Sequence, residues 1–358
     1  MQPNLDNRKK AFISLGILLE NFLKGEIENT EKAAFLNKKI DAATQQNPWF
    51  DKKNILHAFS GISYMLKKEK IDKWLSRYEQ VMQKSISPKN IAVIMAGNLP
   101  LVNFHDFLCV LITGHNIIGK LSSNDQILPV ALADLLIDIE PAFKNKIHFT
   151  NERISDFNGV IATGSDNSAR YFEYYFGKYP HIIRKNRNSI AILDGDEDMV
   201  SLKALSEDIF RYYGMGCRNV SKLLVPKDYS FTNFFKSIES WKEIIDFYKY
   251  KNNYDYYKAM LLVNKTEHLD NGFLLLKEDN NLSSSLSVLF YQRYYSKGDI
   301  RDYINTNKNS IQCIVSSPAN IINDHTISGT VPFGKSQYPE LWDYADGIDT
   351  INFLTNPF

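Results

Sequence analysis

The amino-acid sequence predicts an α/β protein built on a parallel sheet. Two short apolar runs, Ile-Ala-Val-Ile-Met-Ala at 91–96 and Gly-Val-Ile-Ala-Thr at 159–163, lack the polar alternation of a half-exposed strand. Strands covered on both faces have this pattern. Helix-length apolar segments stand between such runs, at 100–113 and 128–139. Each run closes on Gly, Asn, Ser or Thr, residues that turn a chain out of a strand. Alternation of this kind makes a sheet whose ligands collect at the carboxyl ends of its strands.

The elements follow in order. Residues 7–90 read as helices, with Leu15, Leu18, Leu19, Phe22 and Leu23 at three- and four-residue spacing, a second helical signal at 55–66 and a break at Pro88. The strand at 91–96 ends in Gly97-Asn98, and the helix at 100–113 stops at Gly114. A strand at 117–120 leads into Ser122-Ser123-Asn124-Asp125, capping residues for the helix at 128–139. Strands at 147–149, 159–164 and 189–193 continue the alternation. After the turn Asp194-Gly195-Asp196-Glu197-Asp198 come a helix at 201–213, the segment Gly214-Met215-Gly216-Cys217-Arg218-Asn219 and a strand at 221–226. An aromatic helical stretch at 229–262 and strands at 288–291 and 311–316 complete the series. The 358 residues suffice for two domains, with a boundary near 194–196 and a C-terminal segment from 321 to 358.

Composition narrows the function. Lys and Arg total 42 against 41 Asp and Glu, so the chain lacks the positive charge from which a general nucleic-acid binder draws its affinity. With 44% hydrophobic residues, wholesale disorder is excluded. The three cysteines, Cys109, Cys217 and Cys313, form no CxxC pair, which points to a reducing compartment. The first residues carry no apolar signal core, and no apolar run approaches the roughly 18–20 residues needed to cross a bilayer. We therefore expect a cytoplasmic protein without stable membrane insertion.

Several motifs fail on inspection. Gly114 to Lys120 matches the spacing of a phosphate loop, but Leu121 replaces the hydroxyl that would hold Mg²⁺, and a helix precedes the loop where a strand should. Gly214-Met215-Gly216 opens a GxGxxG pattern, yet Asn219 stands where the third glycine belongs. The acidic turn at 194–198 lacks EF-hand spacing and reads as a solvated helix start. The seven histidines show no HxxxH or HxxE grouping, so no metal is expected, and no GxSxG elbow is present. Cys109 and Cys313 lie in apolar runs and read as core. Cys217, between Gly216 and Arg218, sits where a cation or backbone N–H groups would favour the thiolate. Its local context leaves a catalytic and a structural reading both open.

The order of the pieces resembles the aldehyde dehydrogenase superfamily. Gly97-Asn98-Leu99-Pro100 is similar to its Trp-Asn-Phe-Pro segment, and His115 to Lys120 to its Gly-Asn-x-x-x-Lys-Pro. Ala162-Thr163-Gly164-Ser165 is similar to Phe-Thr-Gly-Ser, Gly214-Met215-Gly216-Cys217 to Gly-Gln-x-Cys, and Val331-Pro332-Phe333-Gly334 to Pro-Phe-Gly-Gly. Within the superfamily, Gly216-Cys217-Arg218-Asn219-Val220-Ser221-Lys222 and the run 182–189 most resemble the LuxC-type fatty acyl-CoA reductases. The oxidising members carry Glu-Leu-Gly-Gly-Lys before the domain boundary. Here the stretch is Arg184-Lys185-Asn186-Arg187-Asn188, without a carboxylate to activate water. The family's later Glu, which contacts the nicotinamide ribose, is replaced by the region of Ser283, Ser284 and Ser285.

The resemblance implies an aldehyde-dehydrogenase-like fold. Residues 1–194 would hold the N-terminal helices and a Rossmann-like NADP(H) domain, and 195–320 a catalytic domain with Cys217. Residues 321–358 would return to the cofactor domain, with a strand at 349–354 pairing between subunits of a homo-oligomer. It implies NADPH-dependent reduction of an acyl-CoA to the aldehyde through S-acyl-Cys217. Asn98 and the Cys217 backbone N–H would stabilise the oxyanion. Lys120 would contact the adenosine ribose and, together with Ser122, accept a 2′-phosphate, and Gly164 and Ser165 would lie under the pyrophosphate. Each of these residues also has a plain role: Asn98 as cap of the helix near Pro100, Lys120 as a strand-end lysine, 163–165 as a turn. The aromatic stretch 229–257 reads as helix core or as the lining of an acyl tunnel. An aldehyde-oxidising enzyme, a non-redox acyl carrier and a non-catalytic scaffold are the competing functions.

Overall fold

A computed structural model describes residues 3–27, 30–82, 87–317 and 330–356. The chain forms two units, Met1–Lys185 with Tyr338–Phe358, and Asn186–Gln337. The first opens with helices α1 (Leu5–Lys24), α2 (Thr30–Gln46), α3 (Lys52–Met65), α4 (Lys68–Leu75) and α5 (Glu79–Met82). In α1 the apolar spacing produces a buried face, with Phe12, Leu15 and Leu19 fully covered and Leu18, Phe22 and Leu23 packed at its rim. Asn4 caps this helix by accepting the Asn7 N–H at 2.8 Å, and Gly25, at φ 72, ends it in the left-handed conformation that glycine adopts without strain. Arg8 is buried on α1 because its guanidinium donates to the carbonyls of Pro3 and Ile112, at 2.7 and 2.9 Å.

The sheet of this unit contains β1 (Asn90–Ile94), β2 (Asn116–Lys120), β3 (Ile147–Thr150), β4 (Gly159–Thr163) and β5 (His181–Arg184). Their order is β3-β2-β1-β4-β5, with every pair parallel. Helices α6 (Phe104–Ile112), α7 (Ile127–Ile139) and α8 (Asp166–Phe176) connect them. Ile91, Ala92, Val93, Val160, Ile161 and Ala162 have no exposed surface, which is why their runs carry no polar alternation. The segment that mimicked a phosphate loop contains β2, whose hydrogen-bonded ladder leaves no cradle.

Two expectations for this unit are corrected. The helix expected at 100–113 starts only at Phe104, because Leu101 takes a left-handed conformation at φ 58. The C-terminal strand expected at 349–354 is instead a helix, Thr350–Thr355, whose Asp349 cap accepts the Asn352 N–H at 2.8 Å. It packs on its own unit: Ile351 and Leu354 are buried in the core shared by α1 and β1.

The second unit holds β6 (Asn188–Ile192), β7 (Val220–Pro226), β8 (Leu269–Asp270), β9 (Leu275–Glu278), β10 (Val288–Tyr294), β11 (Ile311–Ser316) and β12 (Thr330–Val331). The order is β12-β11-β6-β7-β10-β9-β8, parallel except for β8 against β9. Helices α9 (Met199–Phe210), α10 (Thr232–Ile238), α11 (Tyr248–Val263) and α12 (Lys297–Asn307) complete it. The division at Asn186 precedes the expected break at 194–196, because β6 pairs with β7 and β11 of this sheet. The chain rejoins the first unit at Tyr338, while the expected boundary at 320 lies outside the described residues. The acidic turn is a helix start, with Asp198 capping α9 by accepting the Ser201 N–H. In the aromatic stretch Phe231, Phe234, Tyr250 and Tyr254 are buried among core side chains.

Candidate active site

In the first unit, strand order reverses between β1 and β4, so their following connections leave in opposite directions and open a crevice at their carboxyl ends. Five of the candidate residues lie along this edge. Asn98 follows β1 and is exposed. It is not a helix cap, since α6 begins six residues later, after Asn103. Lys120 ends β2 and donates its ammonium to the carbonyls of Asn151 and Glu152, at 3.3 and 2.9 Å. Ser122 lies against Gly97 so closely that a Cβ on residue 97 would stand 2.3 Å from the Ser122 Oγ. Gly164 follows β4, where a Cβ would come within 2.7 Å of Ser168 on α8. Ser165 caps α8, accepting the Ser168 N–H at 3.3 Å, at a helix start where free N–H groups favour anions.

Two residues outside the expected set hold the loop after β1. Asn103 accepts the Ala96 N–H at 2.7 Å, and Asp125 accepts the N–H of the left-handed Leu101 at 2.8 Å. Asp125 is buried, and desolvation pushes its carboxyl up to about 7. The loop carrying Asn98 is thereby pinned at both ends.

In the second unit Cys217 lies between α9 and β7 and is half-buried, whereas Cys109 and Cys313 are buried. Before it, Tyr212, Tyr213 and Gly214 run left-handed in succession, at φ 54, 59 and 78. The Asn219 N–H then donates to the Gly216 carbonyl at 3.0 Å, closing a tight turn with Cys217 and Arg218 at its centre. Ser189 donates its hydroxyl to the Cys217 carbonyl at 2.9 Å. The Arg218 guanidinium donates to the Ser336 carbonyl. Asp208, buried on α9, accepts the N–H groups of Gly334 and Ser336 at 2.6 and 2.9 Å, and its carboxyl is pushed up to about 6 by desolvation. The Pro332-Phe333-Gly334 segment is therefore clasped beside the cysteine turn. Gly216 and Asn219, on either side of Cys217 and Arg218, line a small cleft with Phe210, Tyr213, Tyr250 and Ser284. The serine region expected near the cofactor thus borders the cysteine turn. Asp208 carries no signal in the sequence, and Asn219 stands there only as part of the motif around Cys217 and at a failed glycine position.

The fold of this chain is similar to those of solved aldehyde dehydrogenases. HpcC from Thermus thermophilus superposes with a TM-score of 0.65 at 12% identity, covering 92% of this chain and 74% of that one. Aldehyde dehydrogenase 21 from Physcomitrella patens, solved with the reaction product succinate, gives 0.64 at 12% identity over 96% and 84%. KauB from Pseudomonas aeruginosa gives 0.62 at 15% identity over 88% and 72%. Among curated proteins no match is found. The family model described as acyl-CoA reductase (LuxC) matches residues 20–234, more than half of the sequence and a span that includes β1 to β7 and the cysteine turn, and so the chain belongs to the LuxC family of acyl-CoA reductases.

Proposed function

We propose that the protein reduces an acyl-CoA, of fatty type, to the aldehyde through a covalent S-acyl intermediate on Cys217, with NADPH as reductant. The observation that carries this reading is the setting of Cys217, the half-buried cysteine of the three, in a tight turn that follows three left-handed residues and whose ends, Gly216 and Asn219, line a cleft. The thiolate attacks the thioester carbonyl, the C–S bond to CoA breaks, and CoA leaves as its thiolate. The Cys217 backbone N–H donates to the oxyanion, a role worth about 3 kcal/mol per donor. The stretch 184–188 supplies no carboxylate in the place where the oxidising enzymes carry their water-activating Glu, which favours reduction over hydrolysis of the acyl group.

The residues along the first unit's crevice fit a dinucleotide. The Ser165 hydroxyl and the N-terminal N–H groups of α8 suit a pyrophosphate, and the Lys120 ammonium and Ser122 hydroxyl suit a ribose and its 2′-phosphate. Solved structures of similar fold include NAD⁺ complexes and an NADP-dependent enzyme from E. coli, which supports a nicotinamide cofactor. When bound, such a cofactor supplies a hydride to the acyl carbon. Once the acyl carbon was reduced, Cys217 would depart as thiolate while the aldehyde carbonyl re-formed.

The test is a labelling chase. Full-length protein is incubated with acyl-labelled CoA thioester and then given NADPH. We expect label on the wild type, none on Cys217→Ala, and release as aldehyde only after NADPH. Label that persists after NADPH would make the protein an acyl carrier, and label on Cys217→Ala would remove the cysteine from the mechanism.

A further inference from the structure

We propose that Asn219 is the positioning residue of the nucleophile, its buried carboxamide holding the turn that presents Cys217. The inference rests on reading Cys217 as the nucleophile. Helix α9 ends just before Tyr212 and Tyr213, and left-handed backbone is unfavourable for an L-residue. Something must hold the chain there, and local propensity does not. Asn219 is 2% exposed and is engaged at both ends of its amide. Its Nδ2 donates to the carbonyls of Arg211 and Asp208, at 2.9 and 3.1 Å, where the helix finishes. Its Oδ1 accepts the Gly216 N–H at 2.8 Å, immediately before the cysteine. One side chain therefore ties the end of the helix to the start of the nucleophile turn, across the left-handed residues.

No common replacement keeps both functions. Aspartate would retain the acceptor for Gly216 but set a carboxylate oxygen against two carbonyls. Serine carries one donor on a shorter arm, and an aliphatic side chain leaves the three backbone groups without this partner. Three further bonds extend the grip. Arg218 and Asp208 both hold the loop at 334–336, so displacement of the turn would loosen that clasp as well.

The experiment measures Cys217 directly. The rate of iodoacetamide alkylation is followed against pH in the full chain, with Cys217→Ser as the blank for the buried Cys109 and Cys313. In Asn219→Ala, with thermal unfolding and circular dichroism establishing the fold, we expect alkylation slowed at least tenfold and the midpoint of its pH profile displaced. We also expect kcat for acyl-CoA reduction to fall at least tenfold with KM within threefold. A folded variant with the wild-type profile and kcat would overturn the proposal. A second measurement needs no variant: amide exchange in the wild type should show the Gly216 N–H protected, and free exchange there would equally overturn it. If Cys217→Ala still took acyl label, the nucleophile reading would fail. Loss of that label with an unaffected Asn219→Ala would sink this inference alone.

Discussion

At the scale of single residues, the first unit's edge depends on an absence of atoms. Gly97 is required because its position faces Ser122, where an added Cβ would stand 2.3 Å from Oγ and 2.7 Å from the serine Cβ. We expect Gly97→Ala to lose about 1–3 kcal/mol of stability, the usual penalty for overpacking. Ser122→Gly in the same chain should restore more than half of it, since the clash is with that side chain. Urea denaturation of the two single variants and the double variant gives the coupling; additive losses would show that the strain lies elsewhere. Gly97 and Cys217 stood out in the sequence because small or reactive residues at element ends are conspicuous. Asn103 did not, nor did the backbone-holding roles of Asn219 and Asp125. Their partners are backbone groups of Arg211, Ala96 and Leu101, and only the folded chain brings these into hydrogen-bond range.

Elements were legible where burial alone decides them. Strands β1, β2 and β4 are apolar runs between turn residues, and they lie where the pattern puts them. The segment at 349–354 misled because Ile351 and Phe353 alternate with polar residues, as in a strand. Its conformation is set by the Asp349 cap and by partners far away in sequence: Tyr78 donates to Asp349, and Arg184 to Thr350. Arg184 ends β5, and its guanidinium meets Asp106 of α6 at 2.6 Å, both side chains being 4% exposed. This pair joins sheet, helix and C-terminal helix. Removing one partner leaves a buried charge, so Arg184→Met should cost about 3–5 kcal/mol in urea denaturation, and the pair Asp106→Leu with Arg184→Met considerably less. Exchange of the amides in Thr350–Thr355 should quicken in Arg184→Met. An unchanged exchange rate there would deny that this ion pair secures the C-terminal helix.

For the whole molecule, the first unit is closed by a segment that arrives only after the second unit has been traversed. Lys70 meets Glu340 at 2.6 Å, and Trp74 donates to Tyr344 at 2.7 Å. Inside this unit two kinds of buried titratable group oppose each other in their pH dependence. Burial lowers the pKa of His105 and His115. The unfolded imidazoles, near 6.5, take protons that the folded ones refuse, so both cost stability as pH falls below that value. Asp125 works the other way. Its folded carboxyl is pushed up to about 7 from 3.8, so its contribution is complete below about 4 and is lost as pH rises through 7. Between pH 5 and 8 that loss amounts to about 2–3 kcal/mol, which exceeds a typical single hydrogen bond. Asp125→Asn keeps an acceptor for Leu101 but cannot ionise. Its stability relative to wild type should therefore rise from pH 5 to about pH 7 and level off above it. The readout is urea unfolding by fluorescence in a Trp241→Phe background, where Trp49, Trp74 and Trp342 report this unit alone. Parallel profiles for the two proteins would mean that Asp125 already ionises freely in the folded state. The pinned loop after β1 would then be held by a solvated carboxylate, and the desolvation argument for its rigidity would fail.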